Sequence, residues 1–219
     1  MVVNAIELEE QLKEVGNALL NPPSSTDELL DQLDKFECLL IKVEQEPSRS
    51  MQDVLILPMR ALISNSLLKH SDVDVKVALA SCFSEITRIT APNAPYNDEK
   101  MKEIFQLTIA AFEKLSHVSG HCYSKAFAIL DTVAKVRSCL LMLDLELDEL
   151  IVDMFQHFLK IIRYSFFGHG NNYDPGHRRK RRPIFGSSHP AFGQCKERKS
   201  ECFFHCMEAW GESSDQLCR

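Results

Sequence analysis

The spacing of apolar residues constrains the fold of this chain more than any other feature. In one early segment they recur at alternating steps of four and three: Leu29, Leu33, Phe36, Leu40 and Val43. This is the period of an amphipathic α-helix, whereas a half-buried strand would alternate every two residues. Ser25-x-x-Glu28 has the form of a capping box ahead of the segment, and Pro47 closes it. The segment therefore predicts one capped helix with a single buried face.

The same pattern repeats along the chain and predicts seven helices. Their approximate limits are 6–20, 26–43, 54–68, 72–89, 98–115, 123–143 and 148–162. Ser71-x-x-Asp74 is expected to cap the fourth helix, and no strand pattern interrupts the series. Helix pairs recur every ~40–50 residues, the range of HEAT and armadillo repeats. The predicted fold is all-α: a HEAT/armadillo-like α-solenoid of antiparallel helix pairs, which would offer a long surface to other proteins.

The chain changes its chemical character near Tyr164. Six of its eight glycines follow Arg163, while that stretch contains one leucine and no valine. Such a composition is too poor in large aliphatic residues to continue the buried helical faces. We therefore expect an N-terminal repeat region over residues 1–163, followed by a divergent, disordered tail over residues 164–219.

Several classes of function are disfavoured by the sequence. The net charge of −6 is not that of a dedicated nucleic-acid binder, and no apolar run is long enough to span a membrane. The N-terminus lacks the pattern of a secretory signal, so the eight cysteines are expected to be reduced thiols in the cytosol or nucleus. No phosphate loop, nucleophile elbow or H-E-x-x-H motif is present. We expect a non-catalytic protein that uses no cofactor.

Three segments resemble one known family: residues 67–107, 133–145 and 150–163. Over roughly residues 10–163 the chain is similar to the N-terminal HEAT repeats of the "precocious dissociation of sisters" family of cohesin regulators, particularly its plant members. The resemblance implies a nuclear scaffold without catalytic activity that binds the cohesin ring and acts in sister-chromatid cohesion and DNA repair. The alternative is a generic HEAT-repeat adaptor unrelated to cohesin.

One loop carries the expected partner-binding site. It consists of Ala91, Pro92, Asn93, Ala94, Pro95 and Tyr96. In the family that the chain resembles, this loop docks short peptide motifs of cohesin-release and cohesion-protecting factors, and an acidic residue usually stands at the position of Asn93. Two prolines would stiffen the loop, and Tyr96 would offer a flat anchor. The alternative is a rigid linker that only separates two helices.

The tail contains two groups of residues whose composition bears on function. The basic run has the composition of a nuclear-localisation signal: Arg178, Arg179, Lys180, Arg181 and Arg182. A second group lacks the paired C-x2-C knuckles of common zinc folds, so no metal site is expected: Cys195, Cys202, His205, Cys206 and Cys218. A shift of one base in codons compatible with residues 169–181 would encode an amphipathic helix, so we expect a truncated chain with a frameshifted tail. A retained intron, and a gene product without a function of its own, remain alternatives.

The remaining cysteines are expected to be structural, and the histidines are expected to be structural or exposed. Cys38, Cys82, Cys122 and Cys139 lie in predicted helices, where a thiol usually acts as a small buried hydrophobe. The histidines show no spacing that would pair them with one another: His70, His117, His121 and His157.

Overall fold

The computed structural model of the chain describes residues 5–117 and 119–167, and side chains as far as residue 159. All regular elements in these ranges are helical, which confirms the predicted fold class. The α-helices are α1 (Ala5–Leu20), α2 (Thr26–Leu40), α3 (Arg49–Leu62), α4 (Asn65–Leu68), α5 (Val73–Thr90), α6 (Asp98–Phe112), α7 (Tyr123–Lys135), α8 (Ser138–Asp144) and α9 (Asp148–Phe167). A 3-10 turn, Glu113–Ser116, extends α6.

The chain divides into two compact units, Met1–Phe158 and Leu159–Arg219. The first contains every helix up to the middle of α9, and the second contributes to the described structure only the last turns of α9. The disordered tail and the basic run at residues 178–182 are predictions that lie outside the described residues. In the part of the chain that is described, no helix is long and apolar enough to cross a bilayer.

Two stacked layers of helices build the first unit. In one layer α1 packs on α3, and in the other α2, α5 and α7 stack in that order. Helix α6 packs mainly on α5. As a result α5 is covered on several sides, and its buried residues include polar ones, Ser81, Ser84, Glu85 and Thr87. The predicted apolar face of α5 is confirmed, since Val75, Leu79, Cys82, Phe83, Ile86 and Ile89 are all buried.

Local hydrogen bonds explain where the helices begin. The Ser25 hydroxyl accepts the Glu28 N–H at 3.5 Å, so the predicted cap of α2 is confirmed. The predicted cap of α5 is wrong: Asp72, not Ser71, is the N-cap, and its carboxylate accepts the N–H groups of Asp74 and Val75 at 2.8 and 3.2 Å. A carboxylate can accept both bonds at once and is favoured at the positive end of the helix dipole.

The third predicted helix has different limits from those expected. Helix α3 begins five residues earlier than predicted because the Ser48 hydroxyl caps it through the Met51 N–H. It contains Pro58 in its interior and ends at Leu62, so the short α4 is separate. Pro58 fits against α1 because residue 16 is a glycine, where a Cβ would lie 2.9 Å from Pro58 Cδ. The close approach of the two helices therefore depends on a residue without a side chain.

The sixth predicted helix is interrupted. It divides into α7 and α8 at Arg137, whose φ of 56° lies in the left-handed region. The Val136 and Arg137 N–H groups close the end of α7 on Thr132 and Ala134 carbonyls. Apolar periodicity continued across the break, so the pattern alone predicted one helix.

The prediction of four buried cysteines is half right. Cys82 and Cys139 are buried, but Cys38 is exposed and Cys122 is half-buried. Cys38 lies on the outward face of α2, and Cys122 lies at the N-terminal end of α7, where its thiol donates a hydrogen bond to Asp74.

Candidate functional site

The predicted partner-binding loop connects α5 to α6. Pro92, Asn93 and Ala94 are exposed at its tip, while Ala91, Pro95 and Tyr96 are half-buried at its base. The Ala91–Pro92 peptide bond is cis. The Asn93 N–H donates to the Thr90 carbonyl at 2.9 Å, which turns the chain directly after α5. The exposed surface of the loop is therefore small and formed mainly by a proline, an amide and a methyl group.

Tyr96 anchors the loop to the helices beneath it. Its hydroxyl donates to the Met59 carbonyl at 3.0 Å, in the last turn of α3 where helix carbonyls have no intrahelical donor. Its ring lies edge-on to the buried Phe83 of α5, with ring centroids 5.9 Å apart. Burial also raises the pKa of the Tyr96 phenol well above its usual range. The tyrosine thus fixes the loop from below, and its polar tip is already occupied.

The connection between α2 and α3 holds the loop from a second side. The Gln45 side-chain amide donates to the Ala91 carbonyl at 3.0 Å, and the Glu46 N–H donates to the Ile89 carbonyl at 3.1 Å. Glu46 adopts a left-handed conformation, with φ of 53°, in making this bond. Both acceptors lie at the C-terminal end of α5, whose last carbonyls need donors from outside the helix.

The surroundings of the loop are acidic. Glu44 and Glu46 are exposed on the α2–α3 connection, and Asp98 and Glu99 are exposed in the first turn of α6. The nearest basic side chain on α5, Arg88, is bound to Glu85 at 2.7 Å. The loop therefore presents a neutral tip beside four exposed carboxylates, with Lys42 also exposed on the α2–α3 connection and Lys102 exposed on α6.

A network of hydrogen bonds connects helices α2, α5 and α7 near the C-terminal end of α5. Arg88 Nη2 donates to the Leu40 and Val43 carbonyls, each at 2.9 Å, while its Nε donates to Glu85. The other Glu85 oxygen accepts the Thr132 hydroxyl at 3.2 Å. These bonds link the end of α2 to α5 and α5 to α7 through groups that are largely buried.

A second link joins the same three helices nearer to the N-terminal end of α5. Lys125 binds Asp34 at 2.5 Å and Glu37 at 2.6 Å, and the Ser81 hydroxyl donates to Glu37 at 2.6 Å. Desolvation lowers the pKa of Lys125, but its bonds to the two carboxylates outweigh this and raise the pKa overall. The lysine thus holds α7 to α2 across the width of α5.

The N-terminal end of α5 carries a group of three possible metal ligands. Asp74 Oδ2 lies 2.9 Å from His121 Nε2, and Asp74 Oδ1 accepts the Cys122 thiol at 3.2 Å. The hydrogen bonds from His121 and then Cys122 lower the pKa of the Asp74 carboxyl. Burial, followed by the bond to Asp74, raises the pKa of the Cys122 thiol to about 11. His121 is exposed, one of the two settings expected for the histidines, and the spacing between histidines could not reveal its contact with Asp74, 47 residues earlier.

Sequence reasoning missed these contacts because it treated each motif alone. Among the described residues, most side-chain hydrogen bonds between different repeats join residues 44–49 positions apart, which is about one repeat. Gln45 with Ala91, Asp74 with His121 and Glu85 with Thr132 are examples. A search for polar side chains about one repeat apart would have found the last two pairs, whereas Gln45 binds a backbone carbonyl that no polar side chain marks.

The stacked layers, together with contacts at one-repeat spacing, define a HEAT-like α-helical repeat protein. A family model described as "Sister chromatid cohesion protein PDS5 protein" matches residues 27–172 of the chain. The chain belongs to this family, and the resemblance of residues 10–163 to cohesin regulators is thereby confirmed.

Individual relatives agree with the family match. The Arabidopsis thaliana sister chromatid cohesion protein PDS5 homolog C is 59% identical over 157 residues, which cover 72% of this chain and 18% of that protein. The PDS5 protein of Saccharomyces cerevisiae is 33% identical over 137 residues, 61% of this chain and 10% of the yeast protein. The chain thus spans less than a fifth of the length of these relatives.

A solved structure gives the same result for the fold. It is described as "Structure of the Pds5-Scc1 complex and implications for cohesin function", and it superimposes with a TM-score of 0.55 at 30% identity. The match covers 64% of this chain and 22% of that one. The helical repeat architecture is therefore shared with a member of the family solved in complex with Scc1.

Proposed function

We propose that this chain acts in the nucleus as a non-catalytic scaffold in sister-chromatid cohesion and in DNA repair, and that its α5–α6 loop docks short peptide motifs. The partners would be the cohesin complex and its release or protection factors. One observation carries the proposal: residues 91–96 are held by two separate elements while their tip stays exposed. Membership of the PDS5 family supports the biological setting.

The loop is suited to peptide binding because it is already ordered. Gln45 fixes the Ala91 carbonyl and Tyr96 fixes the other end of the loop on α3. A partner would then lose little free energy in ordering the loop, which is a major cost when flexible segments bind. Exposed Pro92 and Ala94 offer apolar contact, and Asn93 offers both donors and an acceptor.

The charge around the loop favours a basic peptide. Glu44, Glu46, Asp98 and Glu99 are exposed around it, so an arginine or lysine of the partner would meet negative charge although residue 93 is neutral. Such charges mainly raise the rate of association and select against acidic partners. Sequence-specific nucleic-acid binding is not expected at an acidic surface.

The test is titration of a fluorescent basic peptide from a cohesin-release factor. Asn93→Asp should tighten binding by about two- to fivefold, the range of an exposed ion pair. Asn65→Asp adds the same charge on the exposed start of α4 and should leave the affinity unchanged. If both variants bind as the wild type does, or if no variant binds, the loop is only a linker.

Tyr96 variants separate the roles of the ring and the hydroxyl in holding the loop for the peptide. Tyr96→Ala removes both supports and should weaken peptide binding by about 2 kcal/mol, the size of a hot-spot effect. Tyr96→Phe keeps the ring on Phe83 and should retain most of the affinity. Equal losses in both variants would mean that the hydroxyl bond to Met59, rather than the ring, sets the affinity.

Co-purification distinguishes a cohesin regulator from a generic adaptor. The tagged full chain should recover cohesin subunits or cohesin-release factors from nuclear extract. Recovery of a transport or phosphatase complex without cohesin would contradict the proposed function, even if the loop binds peptides.

A further inference from the structure

Three side chains of different chemistry converge where α5 and α7 begin. Asp74 lies in the first turn of α5, and His121 and Cys122 immediately precede α7. One oxygen, one ring nitrogen and one sulfur lie within 4.8 Å of one another. The residues come from adjacent repeats, so the fold and not a local sequence motif brings them together.

The donor set has the chemistry of a zinc ligand group. Thiolate, imidazole and carboxylate are the ligands that Zn²⁺ takes in proteins, with bonds of about 2.0–2.3 Å. Tetrahedral angles at those bond lengths separate neighbouring ligand atoms by about 3.3–3.6 Å. The observed separations from Asp74 are 2.9 Å to His121 Nε2 and 3.2 Å to Cys122 Sγ. These two contacts involve different Asp74 oxygens, Oδ2 and Oδ1, and all the ligand atoms lie within 4.8 Å of one another, so side-chain shifts alone would bring the three groups around one ion.

Two further properties favour zinc. A thiolate and a carboxylate together carry two negative charges, which match the charge of the ion if His121 is neutral. The sulfur disfavours Mg²⁺ and Ca²⁺, which prefer oxygen ligands. The turn that carries Asp74 is also held in place, because the Asp74 and Val75 N–H groups both bind the Asp72 carboxylate.

We propose that Asp74, His121 and Cys122 form a three-ligand Zn²⁺ site whose fourth position is open to solvent. The His121 side chain is 80% exposed, so water or a partner ligand can reach the ion. On binding, the thiol proton of Cys122 leaves to solvent and neutral His121 exchanges its ring proton from Nε2 to Nδ1 through solvent, so that metal bonds replace the two hydrogen bonds. The ion would join the repeat that contains α5 to the repeat that contains α7.

The experiment uses the full chain with the tail thiols removed by C195S, C202S, C206S and C218S. Titration with Co²⁺ should give one saturable site with a thiolate-to-metal absorption band, and Zn²⁺ should displace the Co²⁺. Cys122→Ser should abolish the band. His121→Ala and Asp74→Asn should each weaken Zn²⁺ binding about tenfold or more, since the loss of even an outer-shell partner costs this much.

Cys38→Ser is the matched control, because Cys38 is an exposed thiol of α2 outside the cluster. It should leave the absorption band and the affinity unchanged. The absence of a saturable site, survival of the band in Cys122→Ser, or its loss in Cys38→Ser would each overturn the proposal. The helical content of every variant is measured by circular dichroism, so that a loss of metal binding can be distinguished from a loss of folding.

Discussion

The two ends of α5 satisfy their polar groups in opposite ways. At the C-terminal end, donors from other elements reach helix carbonyls: Gln45 and Glu46 bind the end of α5, Arg88 binds the end of α2, and Tyr96 binds the end of α3. At the N-terminal end, Asp72 caps the helix, but Asp74 faces the exposed His121 and the half-buried Cys122.

This difference separates two kinds of site. The C-terminal end is closed by bonds within the protein, so it can hold a rigid loop but has few free polar atoms of its own to bind a ligand. At the N-terminal end His121 and Cys122 each bond Asp74, and within the described part of the chain these two bonds could be exchanged for bonds to a metal. One helix therefore carries the proposed docking loop at one end and the proposed ion site at the other.

The substitution with the largest expected effect on stability is Arg88→Met, at the C-terminal end of α5. The change keeps an apolar stem but leaves the Leu40 and Val43 carbonyls without their donor and Glu85 without its cation. Loss of one partner from a largely buried pair should lower the free energy of unfolding by about 3 kcal/mol. Urea denaturation measures the effect.

Arg60→Met is the control for that measurement. Arg60 is exposed in the last turn of α3, and its replacement should change stability by no more than about 0.5 kcal/mol. Equal losses in the two variants would show that Arg88 is no more important to the C-terminal end than a surface arginine.

Most of the helical framework could be predicted from the sequence, because burial imposes the period of α2, α5 and α6 on their apolar residues. The limits of α3 and the break at Arg137 could not be predicted in this way. Ser48 caps through one local hydrogen bond and Asp72 through two, and neighbouring residues were equally plausible caps from the sequence. The left-handed turn at Arg137 interrupts a helix without interrupting its apolar pattern.

The candidate loop could be located from the sequence, but its support could not. The motif gave residues 91–96, whereas Gln45 and Met59 are 46 and 37 residues away from their partners in the loop. The sequence also led to the expectation that Tyr96 is available to a partner, whereas its hydroxyl is bound to the Met59 carbonyl. Such contacts depend on the stacking register of the repeats, which no single motif encodes.

Tyr96→Phe sharpens the comparison at the loop. It removes the hydroxyl and leaves the Met59 carbonyl without this donor, while the ring can remain against Phe83. The expected loss in the free energy of unfolding is about 1.5 kcal/mol, within the range for a half-buried hydrogen bond. Tyr123→Phe is the control, since the Tyr123 ring stacks on Phe127 at the surface. A loss in the control as large as that in Tyr96→Phe would contradict the anchoring role.

Asp72→Ala tests the N-terminal end in the same way. Without this side chain the Asp74 and Val75 N–H groups lose their acceptor, and the free energy of unfolding should fall by about 1 kcal/mol. Ser71→Ala, at the exposed position that the capping pattern first indicated, should be nearly neutral in thermal or urea unfolding. The reverse order of effects would restore Ser71 as the cap.

The smallest expected effect is the pH dependence that Asp74 gives to the N-terminal end. Its folded pKa is lowered, so the ionised carboxylate stabilises the folded chain fully above the unfolded pKa of about 4 and loses this effect as pH falls through the folded pKa. The side chain is 39% exposed, and solvent screening should keep the effect below about 0.5 kcal/mol. With a metal chelator present, Asp74→Asn should therefore have a lower free energy of unfolding than wild type near pH 6. The difference between the two should become smaller towards about pH 3. His121→Ala should reduce the pH-dependent part of that gap, because the bond to His121 is the largest cause of the lowered pKa. An equal difference in the free energy of unfolding at both pH values would mean that Asp74 acts through its shape rather than its charge. The contrast between the charged N-terminal end of α5 and its C-terminal end would then be contradicted.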